Sequence, residues 1–295
     1  MAEGQPAQSI GWRRLSVTVV IPTLNEARNL PYVFAALPAG LAEVIIVDGG
    51  SEDDTVAVAR ALRPDVRVIG QNRTGKGNAL ACGMAAALGD VVVLLDADGS
   101  TDPGEIPAFV QALCQGADYV KGSRRLCDGG SDDLTRWRRM GNNALTFLVN
   151  TLCGTTFTDL CYGYNAVWRQ HVGVFELDVS SAPQAGGGLR WGDGFEIETM
   201  LHLRAFAAGL RIDEVPSRER PRIFGESNLD AVRDGLRVLR TVLRERRRLR
   251  HRTPAPAAPA ELPDVAQGLL DKVAARDMAG EAPVARPASA GEAGA

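Results

Sequence analysis

The feature that most constrains this chain is an alternation through its first half, in which short, nearly unbroken aliphatic runs are separated by longer stretches of helical character. The runs are Val17 to Ile21, Val44 to Val47, Val66 to Ile69 and Val91 to Leu95. Without polar alternation, such runs suit strands covered on both faces, as in a parallel sheet. Between them, Glu26 to Leu37, Asp53 to Leu62 and the Ala-rich Gly77 to Leu88 carry helical spacing. Repeated βα units predict an α/β, Rossmann-like single domain with a central, mainly parallel sheet.

In sheets of this kind ligands bind beyond the carboxyl ends of the strands. Three of the runs end in polar loops: Pro22-Thr23-Leu24-Asn25-Glu26, Asp48-Gly49-Gly50-Ser51 and Asp96-Ala97-Asp98-Gly99-Ser100. Together they describe one candidate site on one rim. With 295 residues, 45% hydrophobic and 23% charged, the chain suits one large domain with appendages. A net charge of -3 argues against a nucleic-acid partner, although arginines crowd the stretch from Arg233 to Arg252. The cysteines at 82, 114, 127, 153 and 161 form no CxxC pair and do not cluster with His171, His202 or His251. Buried thiols in a reducing compartment are expected, not zinc ligands. The N-terminal stretch lacks the apolar core of a secretory signal, and no window approaches the ~20 apolar residues of a spanning helix. A cytoplasmic protein is expected.

The second half is less regular. Leu134 to Leu152 and Phe195 to Ala208 are helical candidates, with an aromatic stretch around Tyr162 to Trp168. After Arg252 the composition shifts to Ala and Pro, which predicts a disordered tail in which Leu262 to Ala275 alone could form a brief helix. The expected organisation is a disordered segment over 1–16, the α/β domain over 17–227, a basic amphipathic helix over 228–252 and the tail over 253–295.

Asp96-Ala97-Asp98 is the most informative motif. Two carboxylates one residue apart, leaving a strand, can hold a hard divalent cation through oxygen and water, and such a cation neutralises a departing diphosphate. In isolation the motif reads more readily as a solvated loop; its place beside the other two loops reverses that balance and favours a site. Asp48 can accept hydrogen bonds from a nucleobase or ribose, while Ser51, Asp53 and Asp54 can cap the following helix. The stretch from Gly70 to Lys76 nearly spells a phosphate-binding Walker loop, but Gly77 stands where that loop needs Ser or Thr. Lys76 can still meet a phosphate at a helix start. No G-x-G-x-x-G follows the first run, which disfavours a dinucleotide-binding enzyme.

As an ordered set, Pro22 to Glu26, Val47 to Ser51, Gly75-Lys76-Gly77, Asp96 to Ser100, Gly122-Ser123-Arg124 and Thr158 to Tyr164 resemble family 2 glycosyltransferases of the GT-A fold. Within these, the chain is most similar to dolichyl- or polyprenyl-phosphate sugar synthases. The resemblance covers Val17 to about Arg240. It implies that Pro22, Thr23, Asn25, Glu26 and Asp48 surround the nucleoside, that Lys76 and Arg124 lie near the phosphates, and that Asp96 and Asp98, flanking Ala97, hold Mg2+ or Mn2+. Ser100 stands where polyprenyl-phosphate mannose synthases usually carry Gln, a further metal contact, and Gly50 replaces a more usual Ser.

Trp191 to Glu198 brings several carboxylates to a helix start. If the acceptor is a hydroxyl, inversion at the anomeric carbon needs a general base, and Asp193 or Glu196 is the candidate. A lipid phosphate needs none. Capping by Asp193 and surface pairing by Glu198 are the structural alternatives, and a helix-face pair with His202 is favoured over metal ligation. Arg218, Arg220 and Arg222 alternate so as to aim three guanidiniums to one side of an extended segment. The resemblance implies that this loop, with Arg222, closes over a phosphate, Ser227 or Asn228 capping the next helix. There, Leu229, Val232, Leu236, Leu239 and Leu243 form one stripe among arginines. Such a helix can lie on an anionic membrane surface, or pack on the domain or a second subunit.

The expected activity is thus inverting transfer of a hexose from a GDP- or UDP-linked donor to polyprenyl phosphate at the inner membrane face. A soluble or polysaccharide hydroxyl acceptor and a nucleotidyltransferase activity are the rivals.

Overall fold

The computed structural model describes residues 15–183, 189–225 and 231–251. The expected tails (apart from Leu15 and Ser16), the brief helix over 262–275, the Ser227 or Asn228 cap and Leu229 of the leucine stripe lie outside the described residues.

The four aliphatic runs form β1 (Val17–Thr23), β2 (Glu43–Asp48), β3 (Arg67–Gly70) and β4 (Val91–Leu94). All pair in parallel in the order β3-β2-β1-β4. Val19, Val20, Ile45, Ile46, Val92 and Val93 are completely buried, so both faces of the sheet are covered. The crossovers are α1 (Leu30–Ala36), α2 (Thr55–Leu62) and α3 (Lys76–Ala86). Helix α1 starts later than the spacing predicts, because Asn25 holds a positive φ of 58° and Pro31 sits in the first turn, leaving 26–29 as turns. Helix α3 lies close against the sheet at Gly83, where a Cβ would stand 2.2 Å from Val20 Cγ1.

The sheet continues with β5 (Tyr119–Ser123), β7 (Asn165–Trp168) and β8 (Ile212–Pro216) in the order β4-β7-β5-β8, with α4 (Ile106–Cys114) packed across β5 and β7. Strand β7 is antiparallel to both neighbours. It falls within the aromatic stretch noted in the sequence, where four residues are too few to display a period. A small second sheet joins β6 (Gly130–Ser131) to β9 (Arg218–Glu219).

Three helices complete the fold: α5 (Arg136–Cys153), α6 (Ile197–Ala207) and α7 (Ala231–His251). Their shared core contains Val149, Phe157, Leu160, Leu203, Val238 and Val242. The face of α7 that docks here is not the leucine stripe. Val238, Thr241, Val242 and Glu245 are buried, whereas Leu236 and Leu243 are about half exposed among Arg233, Arg240 and Arg244. Two buried valines contribute roughly 1.5–3 kcal/mol each, and the Glu245 carboxylate accepts from Arg204 of α6 at 3.0 Å. No helix among the described residues is long and apolar enough to cross a membrane.

Candidate active site

The strand order reverses between β1 and β4, the switch point at which α/β sheets open a crevice beyond their carboxyl ends. A cleft of about 1150 Å³ lies there, lined by Pro22, Thr23, Glu26, Lys76, Asp96, Ala97, Asp98, Arg124 and Arg222. The chain therefore brings together residues expected in the site from five separate segments.

Each acidic group of the Asp-Ala-Asp motif carries a basic partner. Lys76 Nζ lies 2.6 Å from Asp96 Oδ1 and 2.9 Å from Glu198 Oε1. Burial alone would lower the Lys76 ammonium, but Asp96 and Glu198 outweigh it and hold the group above its ordinary value. On the other side, Arg222 bridges Asp98 at 3.0 Å and Glu26 at 3.1 Å. Burial raises the Glu26 carboxyl, with Asn29 and Arg222 offsetting part of the rise. Asp98 Oδ1 also accepts the Ser100 N–H at 2.9 Å, which closes the turn.

Arg124 lines the cleft but is committed to the scaffold. Its guanidinium forks onto Asp159 at 2.7 and 2.9 Å and reaches Glu219 at 3.1 Å. Burial would raise Asp159, yet Arg124 outweighs it and brings that carboxyl down to about 2. Asn25 and Asp48 do not line the cleft. Asn25 accepts the Glu52 N–H at its side-chain oxygen and donates its own backbone N–H to the Ser51 hydroxyl oxygen, tying the β1 loop to the β2 loop. Asp48 accepts the N–H groups of Gly50 and Ser51 at 3.0 and 3.1 Å. Gly49 faces the cleft instead, its N–H on Thr23 O at 2.8 Å.

The expected acceptor-end carboxylates are arranged differently from the sequence reading. Asp193 is buried and held by Arg73 at 2.9 and 2.8 Å, away from the cleft lining. Glu196 is also buried outside that lining; it accepts the Gly192 N–H at 3.1 Å, with Arg237 at 3.7 Å. Among the carboxylates between Asp193 and Glu198, the one that faces the cleft is Glu198, for which the sequence offered surface pairing as the structural alternative. Its signal was an acid set beside Ile197, Met200, Leu201 and Leu203, on a helix whose other positions are largely buried. His202 is completely buried, and its Nδ1 meets the Tyr119 hydroxyl at 2.9 Å.

The three alternating arginines do not converge. Arg218 pairs with Asp132 and Arg220 with Asp102, and only Arg222 reaches the cleft. The extended backbone that would align them ends with β9 at Glu219. Phe224 is instead pinned by Asn29, which accepts its N–H at 3.0 Å and donates to its carbonyl at 3.1 Å. Beyond the charged rim the cleft continues between α5 and α7, past Leu134, Trp137 and Leu145 on one side and Val238 and Leu239 on the other.

The model of the family described as glycosyl transferase family 2 matches residues 18–172, which run from β1 through β7 and include Glu26, Lys76, Asp96, Asp98 and Arg124 of the cleft. The chain belongs to that family. An uncharacterized glycosyltransferase of Mycobacterium tuberculosis is 37% identical over 198 residues, 58% of this chain and 88% of its own length. An undecaprenyl-phosphate mannosyltransferase of Micrococcus luteus is 32% identical over 224 residues, 73% of this chain and 88% of the relative. Among solved structures, glucosyl-3-phosphoglycerate synthase from Mycobacterium tuberculosis, in complex with Mn2+, uridine diphosphate and phosphoglyceric acid, superposes with a TM-score of 0.61. It is 23% identical and covers 83% of this chain and 84% of that one. The likeness is one of fold: this glycosyltransferase has the GT-A architecture.

Proposed function

We propose that the chain moves a hexose, with inversion, from a GDP- or UDP-linked donor to polyprenyl phosphate, aided by Mg2+ or Mn2+ at Asp96 and Asp98. The observation that carries this reading is the continuity of the cleft. It runs from the charged rim into a passage between α5 and α7 walled by Leu134, Trp137, Leu145, Val238 and Leu239, with Arg138, Asn142 and Asp234 also on its lining. Near that passage α5 exposes Trp137, Met140 and Phe147 together with Arg136 and Arg139. A lipid phosphate has that polarity, an anionic head joined to an apolar chain. The undecaprenyl-phosphate mannosyltransferase among the relatives supports the same acceptor class.

The residues fit a divalent cation of limited protein ligation. Asp96 and Asp98 supply hard oxygens at one rim, each already facing a positive group. No cluster of three or more His, Cys, Asp or Glu suited to a metal occurs among the described residues. Two carboxylates completed by phosphate oxygens and water are the usual arrangement for Mg2+. Bound there, the cation supplies Lewis-acid neutralisation of the leaving diphosphate.

The protein's own part is positioning and electrostatics. Pro22, Thr23 and Gly49 form the donor end, Lys76 and Arg222 present positive charge toward the diphosphate, and the anionic acceptor oxygen attacks in line. No base is needed for that acceptor. Asn25 and Asp48 shape the nucleoside end through their loops. Arg124 acts through Asp159 and Glu219 by fixing the wall between donor and acceptor ends. The expected setting is the cytoplasmic membrane face, where α5 and the outward Leu236, Leu243 and arginines of α7 make peripheral contact.

A second reading, transfer to a hydroxyl acceptor, is favoured by one observation: Glu198 is a carboxylate within the cleft. Sugar transfer from a panel of nucleotide sugars to polyprenyl phosphate and to soluble hydroxyl acceptors, each with and without chelator, separates the readings. Chelator-sensitive transfer to the lipid phosphate is expected; transfer to hydroxyl acceptors alone would overturn the lipid assignment.

A further inference from the structure

Two three-member charge relays of the same form meet at the rim. In one, Lys76 lies between Asp96 and Glu198; in the other, Arg222 lies between Asp98 and Glu26. Each relay has an outer aspartate from the Asp-Ala-Asp motif, a basic group in the middle and an inner glutamate on the scaffold. The inner acids are the more enclosed, with 8% of the Glu198 side chain and 10% of Glu26 exposed, against 27% of Asp96 and 16% of Asp98.

The backbone beneath Lys76 is fixed. A Cβ on Gly75 would stand 2.1 Å from the Asp193 carbonyl oxygen, and one on Gly77 would stand 1.9 Å from that of Gly192. The Gly77 N–H donates to Asp193 O at 2.8 Å. Gly163 leaves the room that the ammonium and Glu198 fill, since a Cβ there would lie 3.0 Å from Nζ and 3.1 Å from Oε1. Movement at this point is therefore confined to the side-chain end. Arg222 is tied similarly, its neighbour Ile223 donating its N–H to Asp98 O at 3.2 Å and Phe224 pinned to Asn29.

We infer that these relays make cation and diphosphate bind as a unit. The inference rests on the reading of Asp96 and Asp98 as the metal-holding pair. In the free protein Lys76 and Arg222 neutralise the two aspartates, so a bare divalent cation has to displace both. When a diphosphate arrives with the cation, Lys76 and Arg222 release the aspartates and turn to phosphate oxygens. Glu198 and Glu26 keep hold of them throughout, as positioning residues acting through the basic groups. Tight packing then makes the exchange a swap of partners between fixed main chains, with no lid movement required.

The test is Mn2+ binding to the full chain, followed by the electron paramagnetic resonance of free Mn2+, with UDP or GDP present or absent. In the wild type, one of the two nucleotides is expected to raise Mn2+ affinity within the ~5–150-fold range of typical coupling between sites. Lys76→Met and Arg222→Met are each expected to bind bare Mn2+ at least ~5-fold tighter than wild type and to lose most of the nucleotide enhancement. Lys76→Arg, which keeps the charge, restores the wild-type order, and Glu198→Gln weakens bare Mn2+ binding by leaving Lys76 on Asp96 alone. Arg220→Met, which removes an exposed charge paired with Asp102, changes it less than ~2-fold. Melting temperatures recorded on each variant establish that it is folded. If wild type binds Mn2+ with nucleotide but neither Met variant gains affinity for bare Mn2+, the exchange is overturned and the metal reading stands. An equal gain in Arg220→Met also overturns it, by assigning the effect to bulk charge. Absence of Mn2+ binding with both nucleotides overturns the metal reading and the exchange together.

Discussion

Replacing Asp193 by Ala separates a structural acid from a catalytic one. Both partners of the Arg73–Asp193 pair are nearly inaccessible, with 5% and 4% of their side chains exposed. Two short hydrogen bonds join them, and Asp193 holds the guanidinium above its ordinary value. Arg73 also donates to the carbonyls of Asp178 and Ser181, and the half-exposed Asp178 carboxylate at 4.0 Å replaces only part of a lost charge. Removing one member of such a buried pair costs about 3–5 kcal/mol, because the other is left uncompensated; the Asp178 carboxylate puts the expected cost at the lower end of that range. For a domain of this size the range corresponds to a fall in melting temperature of roughly 6–20 °C. Asp193→Asn, which keeps a hydrogen-bonding oxygen but not the charge, should fall between the two. Thermal and urea unfolding measure the loss, and sugar transfer assayed below the variant's transition gives turnover per folded molecule, expected to be close to wild type. An unchanged midpoint with turnover reduced ~100-fold or more would refute the reasoning and restore Asp193 as a base.

Three further outcomes follow from the geometry. Gly77→Ala places a methyl against the Gly192 carbonyl, so unfolding experiments should show a loss at or above the ~1–3 kcal/mol usual for overpacking. Asp159 has an ordinary value of 3.8 and a folded value of about 2; its contribution is complete above the unfolded value and lost as pH falls from about 4 toward 2. The gap corresponds to ~2–3 kcal/mol, and urea titrations across that window should show a flatter pH dependence in Asp159→Asn. Co-sedimentation with vesicles containing anionic lipid should fall for the double variant Trp137→Glu, Phe147→Glu and should decrease with salt, because exposed apolar and basic groups act together. Binding unchanged by both perturbations would remove the membrane contact assigned to α5.

The sheet was legible because β1, β2 and β4 are buried on both faces and so are largely aliphatic, a pattern that survives in linear sequence, while the half-buried edge strand β3 keeps the short run Val66 to Ile69. Strand β5 was not, since Lys121 interrupts it. That lysine is completely buried and paired with Glu214 of β8, a contact no local window reveals. Part of the rim was legible: Lys76, Asp96 and Asp98 stand at element ends where the fold converges, and the family resemblance pointed to Glu26 and Arg222, while Asn25 and Asp48 lie outside the cleft lining. What escaped were choices fixed by distant partners. Asp193 and Glu198 look alike in sequence; Arg73 claims the first, while Lys76 draws the second into the cleft. On α7 both helical faces offer periodic apolar residues. The docking face was decided by Arg204 reaching Glu245 and by the core around Val149 and Leu203, which accepts valines and leaves Leu236 and Leu243 outside.

The most direct measurement is the rate of hexose transfer to polyprenyl phosphate by the double variant Asp96→Ala, Asp98→Ala, beside wild type, at saturating Mn2+ and with folding verified by its melting temperature. A drop of at least ~100-fold is expected, the scale of losing electrostatic stabilisation of a leaving group. Turnover at the wild-type rate in the folded double variant would contradict the account.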